Sequence, residues 1–442
     1  MASAAEQLAA NLSFSAFRTA DELKKRIWFT LGALLIYRLG TYIPLPGIDP
    51  QALANVFAQQ QSGILGMFDL FAGGAIGRMA IFALNIMPYI TASIVIQLLT
   101  SVVPHLEQLK KEGETGRKQI NQYTRYGAVF LAAVQGYGIA VGLEGAEGIV
   151  PDPGAFFRLS AVITLTGGTI FLMWLGEQIT ARGVGNGISL IIFAGIVAEL
   201  PSALAGTLEL GRQGVLSTFV ILALLVMVVA VIAFIVFMER AQRRLPVQYP
   251  KRQMGNKMAS GENSHLPLKL NSAGVIPPIF ASSLLLMPIT IANFSDDQQG
   301  GFLSEVVAQL GRGQPAYMAL YAGGIIFFCF FYTSIVFNPE DTADNLKKSG
   351  GFIPGIRPGP RTAEYIDKVL TRLTVVGALY LTLVCLLPEF LINAYNVPFY
   401  FGGTSLLIVV NVTMDTVSQV QGHLFAHQYE GLIKKSKLGR QK

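Results

Sequence analysis

The sequence predicts an all-α, polytopic membrane protein of about ten transmembrane helices, arranged as two inverted, pseudo-symmetric halves of five. Three observations predict it: apolar blocks of about 20 residues separated by polar loops, basic residues gathered on one side of those blocks, and two short internal matches that pair the halves. Composition agrees, since 52% of the 442 residues are hydrophobic and only 14% are charged. Such a chain is suited to lipid as its solvent, not water.

Residues 1–26 form a polar, partly amphipathic lead carrying Phe14, Phe17 and Leu23 and ending in Lys24, Lys25 and Arg26. No short apolar core followed by a small-residue cleavage site occurs here, so the lead is expected to stay attached and cytoplasmic. Apolar stretches then follow at 27–43, 79–100, 126–143, 157–176, 188–206, 216–237, 272–293, 317–337, 373–387 and 398–418. The fifth runs into Pro201, and Pro388 and Pro398 interrupt the region between the last two.

Charge placement tests the number of spans, because each extra or missing helix would invert every later loop. With the N-terminus cytoplasmic, the groups Lys110, Lys111, Arg117 and Lys118, then Arg240, Arg243, Arg244, Lys251 and Arg252, then Lys347, Lys348, Arg357 and Arg361, and finally Lys434, Lys435, Lys437 and Arg440 all fall inside. Of the 33 basic residues, only Arg38, Arg78, Arg158, Arg212 and Arg312 fall outside. An even number of spans with both termini cytoplasmic follows. The halves are then 27–210 and 211–420, with long cytoplasmic loops at 238–271 and 338–372 and a cytoplasmic tail at 421–442.

Two internal matches support the duplication. Pro88-Tyr89-Ile90-Thr91-Ala92-Ser93 resembles Pro277-Pro278-Ile279-Phe280-Ala281-Ser282, and Gly187-Ile188-Ser189-Leu190-Ile191-Ile192 resembles Gly403-Thr404-Ser405-Leu406-Leu407-Ile408. They pair the second span with the seventh and the fifth with the tenth. A repeated unit of five helices must reverse its orientation, which places the site of action between the halves.

No enzyme signature is present: the chain lacks a phosphate-binding loop, a His-Glu-x-x-His, a Gly-x-Ser-x-Gly and a spaced Cys/His set. Cys329 and Cys385 both lie inside apolar blocks, and His423 and His427 read as solvated tail residues. The run Gly183-Val184-Gly185-Asn186-Gly187 reads as a loop entering a helix. No cofactor is expected. Arg38, Glu177 and Asp415 sit towards helix ends, which leaves the span centres almost free of the charge that solute carriers need.

Isoleucines recur at helical spacing, with Ile86 and Ile90 on one face and Ile188 and Ile192 on another. Spacing alone leaves helix packing and a hydrophobic constriction both open. The Gly-rich stretch 62–78 is too short to span and reads as a re-entrant segment, a mobile plug or a packing loop. The basic loops suit either contact with ribosomal RNA or an acidic protein surface, or simple positive-inside anchoring.

Several motifs resemble the SecY family of protein-conducting channels, over about residues 20 to 430. They include Ile43-Pro44-Leu45-Pro46-Gly47-Ile48-Asp49, Phe68-Asp69-Leu70-Phe71 through Ile86-Met87-Pro88-Tyr89-Ile90, and Lys110-Lys111-Glu112-Gly113-Glu114. Further on stand Trp174-Leu175-Gly176-Glu177-Gln178, Gly185-Asn186-Gly187-Ile188-Ser189 and His265-Leu266-Pro267-Leu268-Lys269. The last are Asn338-Pro339 through Ser349-Gly350, Pro354-Gly355-Ile356-Arg357-Pro358-Gly359 and Pro398-Phe399-Tyr400-Phe401-Gly402-Gly403-Thr404-Ser405.

The resemblance implies a channel that moves unfolded secretory polypeptides across the bacterial plasma (inner) membrane and releases membrane-protein helices sideways into lipid. It implies an aliphatic pore ring at Ile86, Ile90, Ile188, Ile192, Ile279 and Ile408, and a plug at about 63–76 with Phe68, Phe71, Gly73 and Gly74 as representative positions. It implies a lateral gate with a polar trio, Thr91, Gln135 and Asn271, and a cytoplasmic docking surface at Arg357, supported by Arg243, Arg244 and Lys251. The implied partners are SecE and SecG in the membrane, the SecA ATPase, the ribosome through its RNA and protein, and a nascent polypeptide bearing a signal sequence. The competing reading is a secondary transporter of a small solute, which would need a midplane binding residue. Asn411, one turn beyond Ile408, has no account in either reading.

Overall fold

A computed structural model describes residues 21–54, 72–145, 148–214, 217–249, 253–254, 257–258, 263–292, 314–395 and 403–439. Its helices are α1 (Asp21–Gly40), α2 (Met87–Val102), α3 (Pro104–Lys111), α4 (Glu114–Glu144), α5 (Ala155–Arg182), α6 (Gly187–Arg212), α7 (Thr218–Arg240), α8 (Ile276–Ala292), α9 (Pro315–Val336), α10 (Pro339–Lys348), α11 (Pro360–Tyr395) and α12 (Gly403–Gly439). All but the short α3 and α10 overlap the ten apolar stretches of the sequence, with α4 and α11 beginning earlier and α12 running on to Gly439. Among the described residues, six helices are each long and apolar enough to cross a membrane alone. On α7, Phe219, Leu222, Leu225, Val226, Val229 and Phe237 are exposed, as lipid-facing side chains must be.

The second span starts later than the sequence suggests, at Met87 and not at 79. Residues 72–86 form a chain of turns, with Met79 and Asn85 at positive φ. Tertiary bonds hold this conformation: Leu45 N–H donates to the Met79 carbonyl at 2.9 Å, and Ile81 N–H donates to the Ile43 carbonyl at 3.0 Å. Pro88 then falls in the first turn of α2, where its missing N–H is harmless.

The described residues divide into two compact units. One contains those up to Ala205 together with those from Ile408 onward; the other contains Gly206 to Leu407. In the first unit α4 packs on α2 and α5. Ala128, Ala132, Gly136 and Ala140 recur every fourth residue on α4 and are all buried. A Cβ at Gly136 would stand 3.6 Å from Leu165 Cβ and Val162 Cα, so this small-residue stripe lets the backbones approach closely. In the second unit α9 packs on α8 and α11.

The duplication has a physical counterpart. Gly187 begins α6 against the backbone of Gly176 on α5, and Gly403 begins α12 against the backbone of Val384 on α11; at each, a Cβ would collide with a main-chain carbonyl. The same close approach thus recurs at matching positions of the fifth and tenth spans.

The loop 238–271 is not irregular. Strands β1 (Gln242–Gln248) and β4 (Asn263–Lys269) pair antiparallel, with short β2 (Gln253–Met254) paired to β3 (Lys257–Met258). Leu245 and Val247 alternate inward with exposed neighbours, as one buried sheet face requires.

Candidate functional site

Of the six isoleucines singled out by resemblance, Ile86, Ile90, Ile192 and Ile408 are buried and Ile188 and Ile279 are half-buried. None is exposed in the manner of the α7 side chains. Ile86 caps α2, and Ile90 N–H donates to the Ile86 carbonyl at 3.1 Å, which stacks the two side chains one turn apart. Ile188 and Ile192 begin α6. Asn186 Oδ1 accepts from Ile188 N–H at 3.1 Å and Ser189 N–H at 3.4 Å, satisfying amides left free at a helix start. Ile279 belongs to the second unit and the other five to the first.

Of the plug positions, Phe68 and Phe71 lie outside the described residues, as does Lys251 of the docking set. Gly73 and Gly74 both adopt positive φ, which glycine adopts without penalty. Two guanidinium groups converge on the Gly73 carbonyl: Arg38 Nη1 donates at 2.6 Å and Arg78 Nη2 at 2.9 Å. Both guanidinium carbons stand over the Tyr42 ring, at 4.9 and 4.3 Å. Glu199 is the counter-charge, 3.9 Å from Arg38, and Tyr37 O–H donates to the Ala72 carbonyl at 3.3 Å. Sequence reasoning singled out Arg38 and Arg78 as exceptions to the charge rule, and Arg38 also as a charge towards a helix end. The available signal was Glu199, an isolated acid in an otherwise apolar stretch.

Glu177, towards the end of α5, is paired: Arg125 donates from Nε at 2.8 Å and Nη2 at 2.7 Å, joining α4 to α5. On the gate trio, Thr91 Oγ1 donates to the Met87 carbonyl at 3.1 Å, and Gln135 is half-buried on α4. Asn271 is buried and committed within its own unit. Its Nδ2 donates to Glu239 Oε1 at 2.7 Å and to the Gly274 carbonyl at 3.1 Å, and its Oδ1 accepts from Gly274 N–H at 3.1 Å. Tyr380 O–H also donates to Glu239 Oε1, at 3.4 Å. Glu239 and Tyr380 went unnoticed in the sequence because their partners stand 32 and 141 residues away.

The β1–β4 hairpin and the second basic loop pack together. Leu245 and Leu268 of the hairpin are buried with Ile353 and Ile366, and Gln248 exchanges two backbone hydrogen bonds with Phe352 at 2.9 and 3.0 Å. This joins the hairpin to the second basic loop and leaves Arg243, Arg244 and Arg357 exposed. The Arg357 turn is held by Thr362 Oγ1, which donates to its carbonyl at 2.9 Å, between Gly355 and Gly359 at positive φ. Nearby, α10 carries Glu340 and Asp341 in its first turn and Lys347 and Lys348 in its last, each complementing the helix dipole. No group of three metal-ligating side chains occurs among the described residues.

Comparison with known proteins gives a consistent result. A family model described as SecY matches residues 80–417. The protein translocase subunit SecY of Escherichia coli strain K12 is 58% identical over 421 residues, covering 94% of this chain and 95% of the relative. Its counterpart in Vibrio cholerae serotype O1 is 57% identical over 431 residues, covering 96% and 97%. Among solved structures, one of a protein-conducting channel is similar in fold at TM-score 0.66 and 18% identity, covering 91% of this chain and 92% of the other. Sec61 in a canine ribosome–channel complex from the endoplasmic reticulum is similar at TM-score 0.62, 18% identity and the same coverage.

Proposed function

The chain belongs to the SecY family, and on that premise we propose how it works as the multi-pass channel subunit of a protein translocase. An unfolded polypeptide passes through a collar made by Ile86, Ile90, Ile188, Ile192, Ile279 and Ile408. The observation that carries this reading is that none of these six large aliphatic side chains is exposed, in a chain whose other isoleucines and leucines so often are. An ion entering such a collar would lose hydration with no ligand to replace it, whereas an extended peptide of any sequence meets no specific partner that would hold it.

The stretch at about 63–76 acts as the plug, with Arg38 and Arg78 gripping its exit at Gly73. Thr91, Gln135 and Asn271 border the lateral gate through which an apolar segment leaves for lipid. The platform at Arg243, Arg244 and Arg357 receives SecA or the ribosome, and Lys251 belongs to the same surface. These partners supply the energy, since the sequence has no phosphate-binding loop of its own. SecE and SecG complete the complex in the bacterial inner membrane, with both termini cytoplasmic.

Reconstituted vesicles provide the test. Replacement of Ile86 or Ile192 by serine is expected to raise resting ion flux several-fold while polypeptide transport persists. Vesicles that stay tight after both replacements remove the collar, and uptake of a small solute in the absence of any polypeptide favours the transporter.

A further inference from the structure

The loop between α5 and α6 is held from three sides within the first unit. From α1, Thr30 Oγ1 accepts from Val184 N–H at 3.0 Å, and Arg26 Nη1 reaches the Gly183 carbonyl at 3.5 Å. From α5, Thr180 Oγ1 accepts from Gly187 N–H at 2.9 Å while donating to the Gly176 carbonyl at 2.9 Å. From α12, Gln419 Oε1 accepts from Gly185 N–H at 2.9 Å, across 234 residues of sequence.

A second contact reinforces the third. Val184 is buried against Leu23 and Leu424, with Ile27 and Val420 packed beside them, so α1, the loop and α12 share one small apolar cluster. Gly185 itself has φ +89°, and a Cβ there would stand 2.8 Å from Leu190 Cδ1 and 3.2 Å from Thr416 Oγ1. The side chains of Leu190 on α6 and Thr416 on α12 therefore close around Gly185 and leave no room for a Cβ unless they shift.

What the loop fixes is the start of α6, and with it Ile188 and Ile192. On α12, Ile408 and Gln419 are separated by about three helical turns and so share a face. We propose that the Gly185–Gln419 hydrogen bond is a tie that sets the register of α6 against α12, making Gln419 a positioning residue for Ile188, Ile192 and Ile408. This rests on the collar reading above. It adds that three collar side chains are held as a group by a contact remote from the collar.

The test uses the full chain in its membrane complex. Gln419→Met keeps length and removes the acceptor; Gln419→Glu keeps an acceptor oxygen. In Gln419→Met, amide exchange over residues 183–192 is expected to quicken by about fivefold to tenfold, the factor one hydrogen bond controls, and resting ion flux to rise several-fold. Gln419→Glu is expected to stay close to wild type in both. Gly185→Ala, which pushes Thr416 and Leu190 away without removing the acceptor, is expected to follow Gln419→Met. Unchanged exchange in Gln419→Met overturns the tie, as does equal quickening in Gln419→Glu. Quickened exchange with tight vesicles, while an Ile192→Ser control leaks, overturns the positioning role. Tight vesicles in the Ile192→Ser control itself count against the collar, and the tie is then decided by the exchange rates alone.

Discussion

The Asn271 amide donates to the Glu239 carboxylate at 2.7 Å, joining the turn before α8 to the end of α7. Both amide hydrogens are occupied, one by Glu239 and one by the Gly274 carbonyl, so the side chain is an anchor within its own unit first. Asn271→Ala leaves a half-buried carboxylate short of a donor and is expected to lower stability by about 1–3 kcal/mol. Asn271→Asp sets a second carboxylate against the first and is expected to lower it further. Thermal unfolding of the purified complex in detergent orders the two variants; equal stability in wild type and Asn271→Asp would mean that Glu239 is satisfied elsewhere.

Gly74 sits inside the charge cluster that grips the Gly-rich stretch. A Cβ there would stand 2.6 Å from Arg78 Nη2 and 2.7 Å from Glu199 Oε1, at a φ of +77° that alanine resists. Gly74→Ala therefore displaces both charged groups without deleting either, at a strain of about 1–3 kcal/mol. Resting ion flux in vesicles is expected to rise, and Arg78→Gln is expected to raise it as well. Vesicles as tight as wild type in both variants would make the cluster a packing feature with no part in the seal.

The helices are legible in the sequence where one interaction dominates. The α7 stretch is unbroken apolar sequence ending at Glu239 and Arg240, and lipid alone dictates that pattern. The start of α2 is not legible, because Met79, at positive φ, is bonded to Leu45 and Ile81 to Ile43, a pairing that no local spacing encodes. The β1–β4 hairpin carries period-two signals at Leu245 and Val247 and at Leu266 and Leu268, but these are short and set among charges. Site residues follow the same rule. The isoleucine pairs are visible by spacing yet mean nothing without a family resemblance, and the Arg38–Arg78–Glu199 cluster joins residues from three separate segments that only the folded chain brings together.

Arg357 is exposed on a turn held by its main chain, so its side chain is free of any packing duty seen in that turn. Arg357→Glu is expected to reduce SecA-driven translocation roughly tenfold with normal complex assembly, as loss of a charge contact at an interface does. Arg243→Glu and Arg244→Glu are expected to act in the same direction. Leu245→Asp, by contrast, buries a charge beneath the hairpin and is expected to reduce assembly and translocation together. An assembly defect in Arg357→Glu equal to that of Leu245→Asp would make the arginine structural.

Asn411 poses the sharpest question on α12. Its amide nitrogen is buried and finds no hydrogen-bond partner among the described residues, one turn beyond Ile408 and between buried Val410 and Val412. An unpaired amide in such surroundings destabilises by about 1–3 kcal/mol, and no local bond offsets it. Asn411→Val removes the polar group while nearly keeping the volume. It is therefore expected to raise the melting temperature of the detergent-solubilised complex by roughly 1–3 °C, the β-branched side chain opposing this only slightly within a helix. Asn411→Asp is expected to lower it, since a charge is harder to bury than an amide. If Asn411→Val instead lowers the melting temperature, the amide has a partner in the assembled complex, and the polar group beside Ile408 belongs to a contact that this chain makes with another.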